Sequence, residues 1–349
     1  MKPPYAGRMK HLTVLTLAAS VAAFVVSPAL AATQLTGAGS SFVFPYFSRA
    51  FYDYGKQHSD VTINYQPIGS GGGIQQFTQR TVDFGASDVP MNADEIKRLP
   101  APAVQLPVAL GGVAITYNFP SLVKGGLKLS RETLAEIYLG KITKWNDPAL
   151  AKLNPGTELP DMSIVVVHRS DASGTTYIFT DFLSHVSRDW KAVAGTAKSV
   201  AWPAASAVGG KGNEGVAGQV RQTPGAIGYV ELAYVHENHM TQAQLQNASG
   251  HFAFCTGRGV AAAAGSKPNL SATDFSIVDA KSDNAWPIAG YTWAFMYREP
   301  ADKARGKIVH DVLLWAATSG QATAATLDYV ALPDGVQEVA RKALAEVKV

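Results

Sequence analysis

Short apolar runs suited to strands alternate with stretches of helical periodicity along almost the whole chain, and that alternation restricts the fold more than any other feature. Strand-like runs fall at 61–65, 104–108, 113–117, 164–167, 226–230 and 294–297, and helical stretches at 45–57, 73–80, 131–139, 175–184, 216–222 and 303–318. Such an order predicts an α/β protein with mainly parallel sheets flanked by helices. With 47% of 349 residues apolar, there is material for two lobes of ordinary domain size. The strand order places 32–111 and 288–349 in lobe one and 112–287 in lobe two. The chain then crosses near Gly111-Gly112 and again around Trp286 to Ala289, and two crossings make a hinge. Residues 261–266, rich in alanine, read as a surface loop or short helix.

The first 31 residues read as an export signal. Lys2, Arg8 and Lys10 precede an apolar stretch over 12–26, and Pro28-Ala29-Leu30-Ala31 supplies the small-x-small pattern of a cleavage site after Ala31, with Ala32 the alternative. Met9-Lys10-His11 would by itself serve as a short basic region, so Met9 is a second candidate start. The apolar stretch is shorter than the ~20 residues a membrane span needs, so the mature chain is expected to be exported, to a bacterial periplasm, and not to span the membrane. Three of the 30 Lys and Arg lie in 1–31 and none of the acids does, which leaves 27 of each sign. A near-neutral protein has no broad positive field, which argues against nucleic acid as partner. Cys255 is the lone cysteine and can form no internal disulfide; it reads as a packed thiol.

Three turns carry the chemistry. Gly37-Ala38-Gly39-Ser40-Ser41-Phe42, Gly69-Ser70-Gly71-Gly72-Gly73 and Arg169-Ser170-Asp171-Ala172-Ser173-Gly174-Thr175 each lead into a helix and are rich in hydroxyls, glycine N–H groups or guanidinium. Free amides and the dipole at a helix start favour an anion, short hydroxyls add donors without charge, and one guanidinium adds a planar two-point contact. Each turn alone is a common strand-to-helix connection, and Arg169 with Asp171 could form a plain surface ion pair. Their coincidence in one chain carries the reading. Asp88, in Asp83-Phe84-Gly85-Ala86-Ser87-Asp88, is an acid among these donors and should repel an anion unless the anion brings its own proton. Phosphate keeps a P–OH near neutral pH and sulfate keeps none, so Asp88 would separate the two.

Other residues invite a different function and do not support it. The eight histidines form no zinc pattern, and the serines of the turns have no base partner that would make a phosphatase. Cofactors are therefore not expected. His168 alternates with Arg169 on a strand and should face away from it. Lys211, in Gly209-Gly210-Lys211-Gly212-Asn213, lacks the nucleotide-cradle arrangement and reads as a surface turn. The six tryptophans are scattered as packing residues are.

The motifs above, with Ile137-Tyr138-Leu139-Gly140-Lys141-Ile142, Gly209 to Asn213 and Pro224-Gly225-Ala226-Ile227-Gly228-Tyr229-Val230-Glu231, resemble the phosphate-binding protein family of the bacterial phosphate-specific ABC transporter over nearly the whole mature chain. The resemblance implies a type II two-lobed periplasmic binding fold that closes on inorganic phosphate as a monomer and delivers it to an inner-membrane ABC permease and ATPase complex. It further implies that Ser41 and Ser70 donate hydroxyls, Phe42 a backbone N–H, Arg169 its guanidinium, and Ser173, Gly174 and Thr175 hydroxyls and helix-start amides, with Asp88 the acceptor and Asp171 pinning the arginine. The chain departs from the family pattern at three places: Ser41 stands where threonine is often found, Gly71 replaces a serine, and Ala172 replaces a glycine. Sulfate, molybdate or a phosphonate is the alternative ligand.

Overall fold

In the computed structural model of the protein the described residues are 1, 32–119 and 126–349. The expected signal segment and its cleavage site after Ala31 lie outside the described residues. The chain runs β1 (Thr33–Gly39), α1 (Phe44–Gln57), β2 (Val61–Gln66), α2 (Ser70–Thr78), β3 (Phe84–Ser87), α3 (Ala93–Lys97) and β4 (Ala103–Asn118). It continues through β5 (Lys128–Leu129), α4 (Arg131–Tyr138), α5 (Pro148–Leu153), β6 (Val165–Arg169), α6 (Gly174–Val186), α7 (Arg188–Val193), β7 (Val208–Gly210), α8 (Gly212–Gln222), β8 (Ala226–Glu231) and α9 (Leu232–Glu237). Three short strands, β9 (Thr241–Gln242), β10 (Gln244–Gln246) and β11 (Phe252–Ala253), precede α10 (Gly257–Gly265), β12 (Ala289–Tyr297), α11 (Lys303–Ala317) and α12 (Asp334–Leu344).

The main sheet has the order β2-β1-β3-β12-β4-β8-β6-β7. Its outer strands are parallel as the alternation predicts: β1 lies parallel to β2 and β3 in one half, and β6 parallel to β8 and β7 in the other. Its antiparallel pairs are those of the two long strands between the halves, β12 with β3 and β4, and β4 with β8 and the short β9. The fold is thus a two-lobed α/β architecture on a mixed sheet.

One expectation needs correction. The runs at 104–108 and 113–117 are not two strands separated at Gly111-Gly112 but one continuous strand, β4, of 16 residues. Its first part, to Gly112, pairs with β12, and from Val113 onward it pairs with β8. Glycine here relieves crowding and does not end the strand. A Cβ on Gly111 would lie 2.8 Å from the Phe42 ring, and one on Gly112 would lie 2.4 Å from the Cys255 sulfur. Cys255 is accordingly a buried thiol packed on the crossing strand.

Helix α1 packs through Tyr46, Phe47, Ala50, Phe51 and Tyr54, a stripe at helical spacing, with Pro45 pre-set in its first turn. Phe47 stacks on Phe51 at 4.5 Å and meets Tyr65 edge-on at 5.0 Å. In the other half Phe179 of α6 stacks on Tyr229 of β8 at 4.3 Å. Trp145, Trp190, Trp286 and Trp293 are fully buried, as packing residues should be. Residues 261–266 fall mostly within α10. Among the described residues no helix is long and apolar enough to cross a membrane.

Candidate functional site

The polar residues singled out in the sequence converge just beyond the carboxyl ends of parallel strands. Ser41 and Phe42 follow β1, Asp88 follows β3, Arg169 ends β6, and Ser70 and Gly174 open α2 and α6. In open α/β sheets this edge is where ligands are held. The residues come from both halves and meet in a fully buried cluster: Ser41, Phe42, Ser70, Ser173 and Thr175 are enclosed, Asp88 is 2% exposed and Arg169 4%.

The arginine is held rigidly. Its Nε donates to Asp171 Oδ1 at 2.8 Å and its Nη2 to Oδ2 at 2.6 Å, while Nη1 reaches Thr175 Oγ1 at 3.3 Å. Asp171 also accepts from the Gly212 amide at 3.0 Å. Burial pushes the Asp171 carboxyl up, but the hydrogen bonds and charge of Arg169 outweigh it and hold the group below the usual carboxylate range. A bidentate pair of this kind fixes the guanidinium plane.

Asp88 gathers hydroxyls. Ser40 Oγ and Thr292 Oγ1, the latter at 2.8 Å, both donate to Oδ1, whereas Oδ2 takes only a long contact from Thr175 Oγ1 at 3.4 Å. Burial raises its pKa to about 6 against the opposing pull of Ser40, Thr292, Arg169 and Thr175. At neutral pH it is a carboxylate with one oxygen well satisfied and the other available as an acceptor.

The β1–α1 turn is set by tyrosines. Tyr65 donates to the Ser40 carbonyl at 2.9 Å, Tyr234 to that of Ser41 at 2.7 Å, and Tyr329 to that of Phe42. In a trans peptide the carbonyl and the following N–H point opposite ways. The amides of Ser41, Phe42 and Val43 therefore point the opposite way from these tied carbonyls, and those of Phe42 and Val43 reach Ser40 Oγ at 3.0 and 3.4 Å. Successive inward amides make an anion-binding nest.

Several expected donors are engaged with one another. The Gly174 amide donates to Ser70 Oγ at 3.0 Å, and Ser173 Oγ caps α6 by accepting from the Thr176 amide at 3.1 Å. Helix α2 begins at Ser70, three residues ahead of the expected start at Gly73, so Ser70 occupies its first turn. His168 turns its Nδ1 toward the Arg169 carbonyl and stacks its ring on Trp202 at 4.8 Å, as alternation requires. Lys211 is exposed at the start of α8.

Three buried residues of the cluster were not anticipated: Ser40, Thr292 and Asn213. Ser40 lies within the Gly37 to Phe42 turn, and Asn213 follows a glycine-rich strand-to-helix turn of the same type as the other three, which is the signal available for it. Thr292 sits in the apolar strand β12 and carries no local signal. The departures Gly71 and Ala172 prove to face each other. A Cβ on Gly71 would lie 2.5 Å from the Ala172 methyl, and the Gly71 amide donates to the Ala172 carbonyl at 2.8 Å. A side chain on one side of this contact thus requires its absence on the other. Among the described residues no group of three or more His, Cys, Asp or Glu is placed to hold a metal ion.

The fold and its enclosed cluster are those of a solute-binding protein, and the family model described as "PBP superfamily domain" matches residues 26–308. The phosphate-binding protein PstS of Pasteurella multocida (strain Pm70) is 43% identical over 320 residues, 91% of this chain and 92% of that protein. PstS of Xylella fastidiosa (strain Temecula1) is 45% identical over 302 residues, 86% of this chain and 82% of that protein. The chain belongs to the PBP superfamily and, within it, to the family of the phosphate-binding protein PstS. A solved high affinity periplasmic phosphate-binding protein (PfluDING) bound with phosphate shares the fold, with a TM-score of 0.71 at 20% identity, covering 89% of this chain and 93% of that one.

Proposed function

We propose that this protein binds inorganic phosphate in the periplasm and delivers it to an inner-membrane ABC permease and ATPase complex, acting as a monomeric binding protein and not as an enzyme. The observation that carries the reading is a carboxylate, Asp88, enclosed with Arg169 and a set of hydroxyl and amide donors. In this reading Ser41, Ser70, Ser173 and Thr175 donate hydroxyls, Phe42 and Gly174 donate backbone N–H, Arg169 gives the guanidinium N–H groups that Asp171 does not take, and Asp88 Oδ2 accepts the proton that phosphate retains. Asp171 orients the arginine. Residues 1–31 would be removed on export, 32–111 with 288–349 would form one lobe and 112–287 the other, and closure would bury the ligand where charge interactions are strongest.

Calorimetric titration of ligand-stripped protein tests the assignment. Phosphate should bind stoichiometrically, arsenate should compete because it has the same shape and protonation, and sulfate should not bind. Heat from sulfate with none from phosphate would overturn it.

A pH dependence follows from Asp88. Its pKa of about 6 means that it takes up a proton as pH falls through that value and then offers a donor where it had offered an acceptor. Sulfate, which does not change protonation in this range, is expected to bind measurably at about pH 5 and not at about pH 7.5. Equal exclusion at both values would count against readout by this carboxylate.

A further inference from the structure

We propose that Asn213 is a positioning residue for phosphate binding, which turns the Ser41 hydroxyl into an obligate donor when the two halves of the protein meet. The inference rests on the phosphate-binding reading above and adds to it a residue that does not itself touch the ligand.

The geometry is closed at every atom. Asn213 opens α8 beside β7, in the half opposite Ser41. Its backbone N–H and its side-chain Nδ2 both donate to Ser41 Oγ, each at 3.0 Å. A hydroxyl oxygen has two acceptor lone pairs and one proton. With both lone pairs occupied by N–H groups, the only capacity left to Ser41 is to donate, which is what an oxyanion needs. Without Asn213 the same hydroxyl could rotate and present a lone pair to the anion instead.

The orientation of the Asn213 amide is itself determined. Its Oδ1 accepts from the Glu231 backbone N–H at 2.9 Å, so the other end of the amide must be the NH₂, facing Ser41. That NH₂ also approaches Thr175 Oγ1 at 3.4 Å, which places it between two hydroxyls of the site. Asn213 is fully buried, and among the described residues its side-chain amide bonds only to the Glu231 backbone and these hydroxyls. Tyr234, from α9 in the same half as Asn213, holds the Ser41 carbonyl at 2.7 Å, so the residue is gripped at both backbone and side chain from across the cleft. Closure and donor orientation are then one event.

The test is a double-substitution cycle read by phosphate titration at pH 7.5, with thermal unfolding of each variant as the check on folding. Asn213→Ala is expected to weaken phosphate binding about 10- to 100-fold, and Ser41→Ala by a similar factor, since hydrogen bonds to charged ligands carry effects of this size. If Asn213 acts through Ser41, the double variant loses no more than the worse single one. Losses that multiply, or an Asn213→Ala variant that binds within about twofold of wild type, would overturn the proposal. Should Asn213→Ala fail to fold, Asn213→Asp keeps the shape and the backbone N–H while replacing the donor by an acceptor that captures the Ser41 proton. It should bind phosphate at least as weakly as the alanine variant is expected to, and wild-type affinity in it would overturn the proposal. A wild-type protein that binds no phosphate brings down both this inference and the function it rests on, whereas normal wild-type binding with additive losses removes the inference alone.

Discussion

Asp88→Asn is expected to collapse the preference for phosphate over sulfate, the largest single effect on specificity that the site allows. In the folded protein Oδ1 already accepts from Ser40 and Thr292, so an asparagine keeps its oxygen there and turns its NH₂ to the position of Oδ2. The one acceptor that the proposed site offers the ligand becomes a donor. Sulfate then meets donors on every side, while phosphate loses the partner for its P–OH. Sites organised around one required hydrogen bond discriminate by ~10⁴ to 10⁵, and most of that factor should disappear in the variant. Titration of wild type and variant with both anions reads it directly, and sulfate still excluded by the asparagine protein would refute readout of the proton.

Gly174→Ala is expected to block closure without unfolding either half. A Cβ at this position would stand 2.6 Å from both the Cβ and the backbone N of Asp88 and 2.7 Å from Ser70 Oγ, all on the opposite wall. Two of these atoms belong to Asp88's own frame and cannot swing aside. Alanine is at the same time a better helix former than glycine, so α6 and its Ser173 cap are preserved. Losing the contacts of one wall removes at least two charge-assisted hydrogen bonds, on the order of 3–6 kcal/mol, or at least about a hundredfold in affinity. Small-angle scattering should show no compaction of the variant on adding phosphate, with its unfolding temperature near that of wild type. Compaction like that of wild type would mean that the lobes do not approach as closely at Gly174 as the structure has them.

Much of this site was legible because its signals are local. Ser173 before Gly174-Thr175, and Ser41 before the Pro45 helix, mark helix starts by residue type alone, and Asp88 stands out as an acid among donors. Residues whose role arises only from tertiary contact were not legible. Thr292 is one hydroxyl in an apolar strand until β12 pairs with β3 and carries it to Asp88. Helix α2 was expected over 73–80 behind a glycine turn, yet Ser70 begins it ahead of the glycines. Gly71 and Ala172, about a hundred positions apart, read as unrelated departures; across the cleft they are one exchange, a side chain given up on one wall and gained on the other. Gly111-Gly112 read as the crossing between lobes, and only the neighbouring Phe42 and Cys255 show why glycines stand inside a strand there.

That unbroken strand bears on how the molecule moves. Since β4 keeps its ladder with β12 up to Gly112 and takes up β8 from Val113, the connection is paired backbone throughout and not a free linker. Opening would have to twist paired backbone, so the ladders on either side of that junction would limit how far the jaws can part.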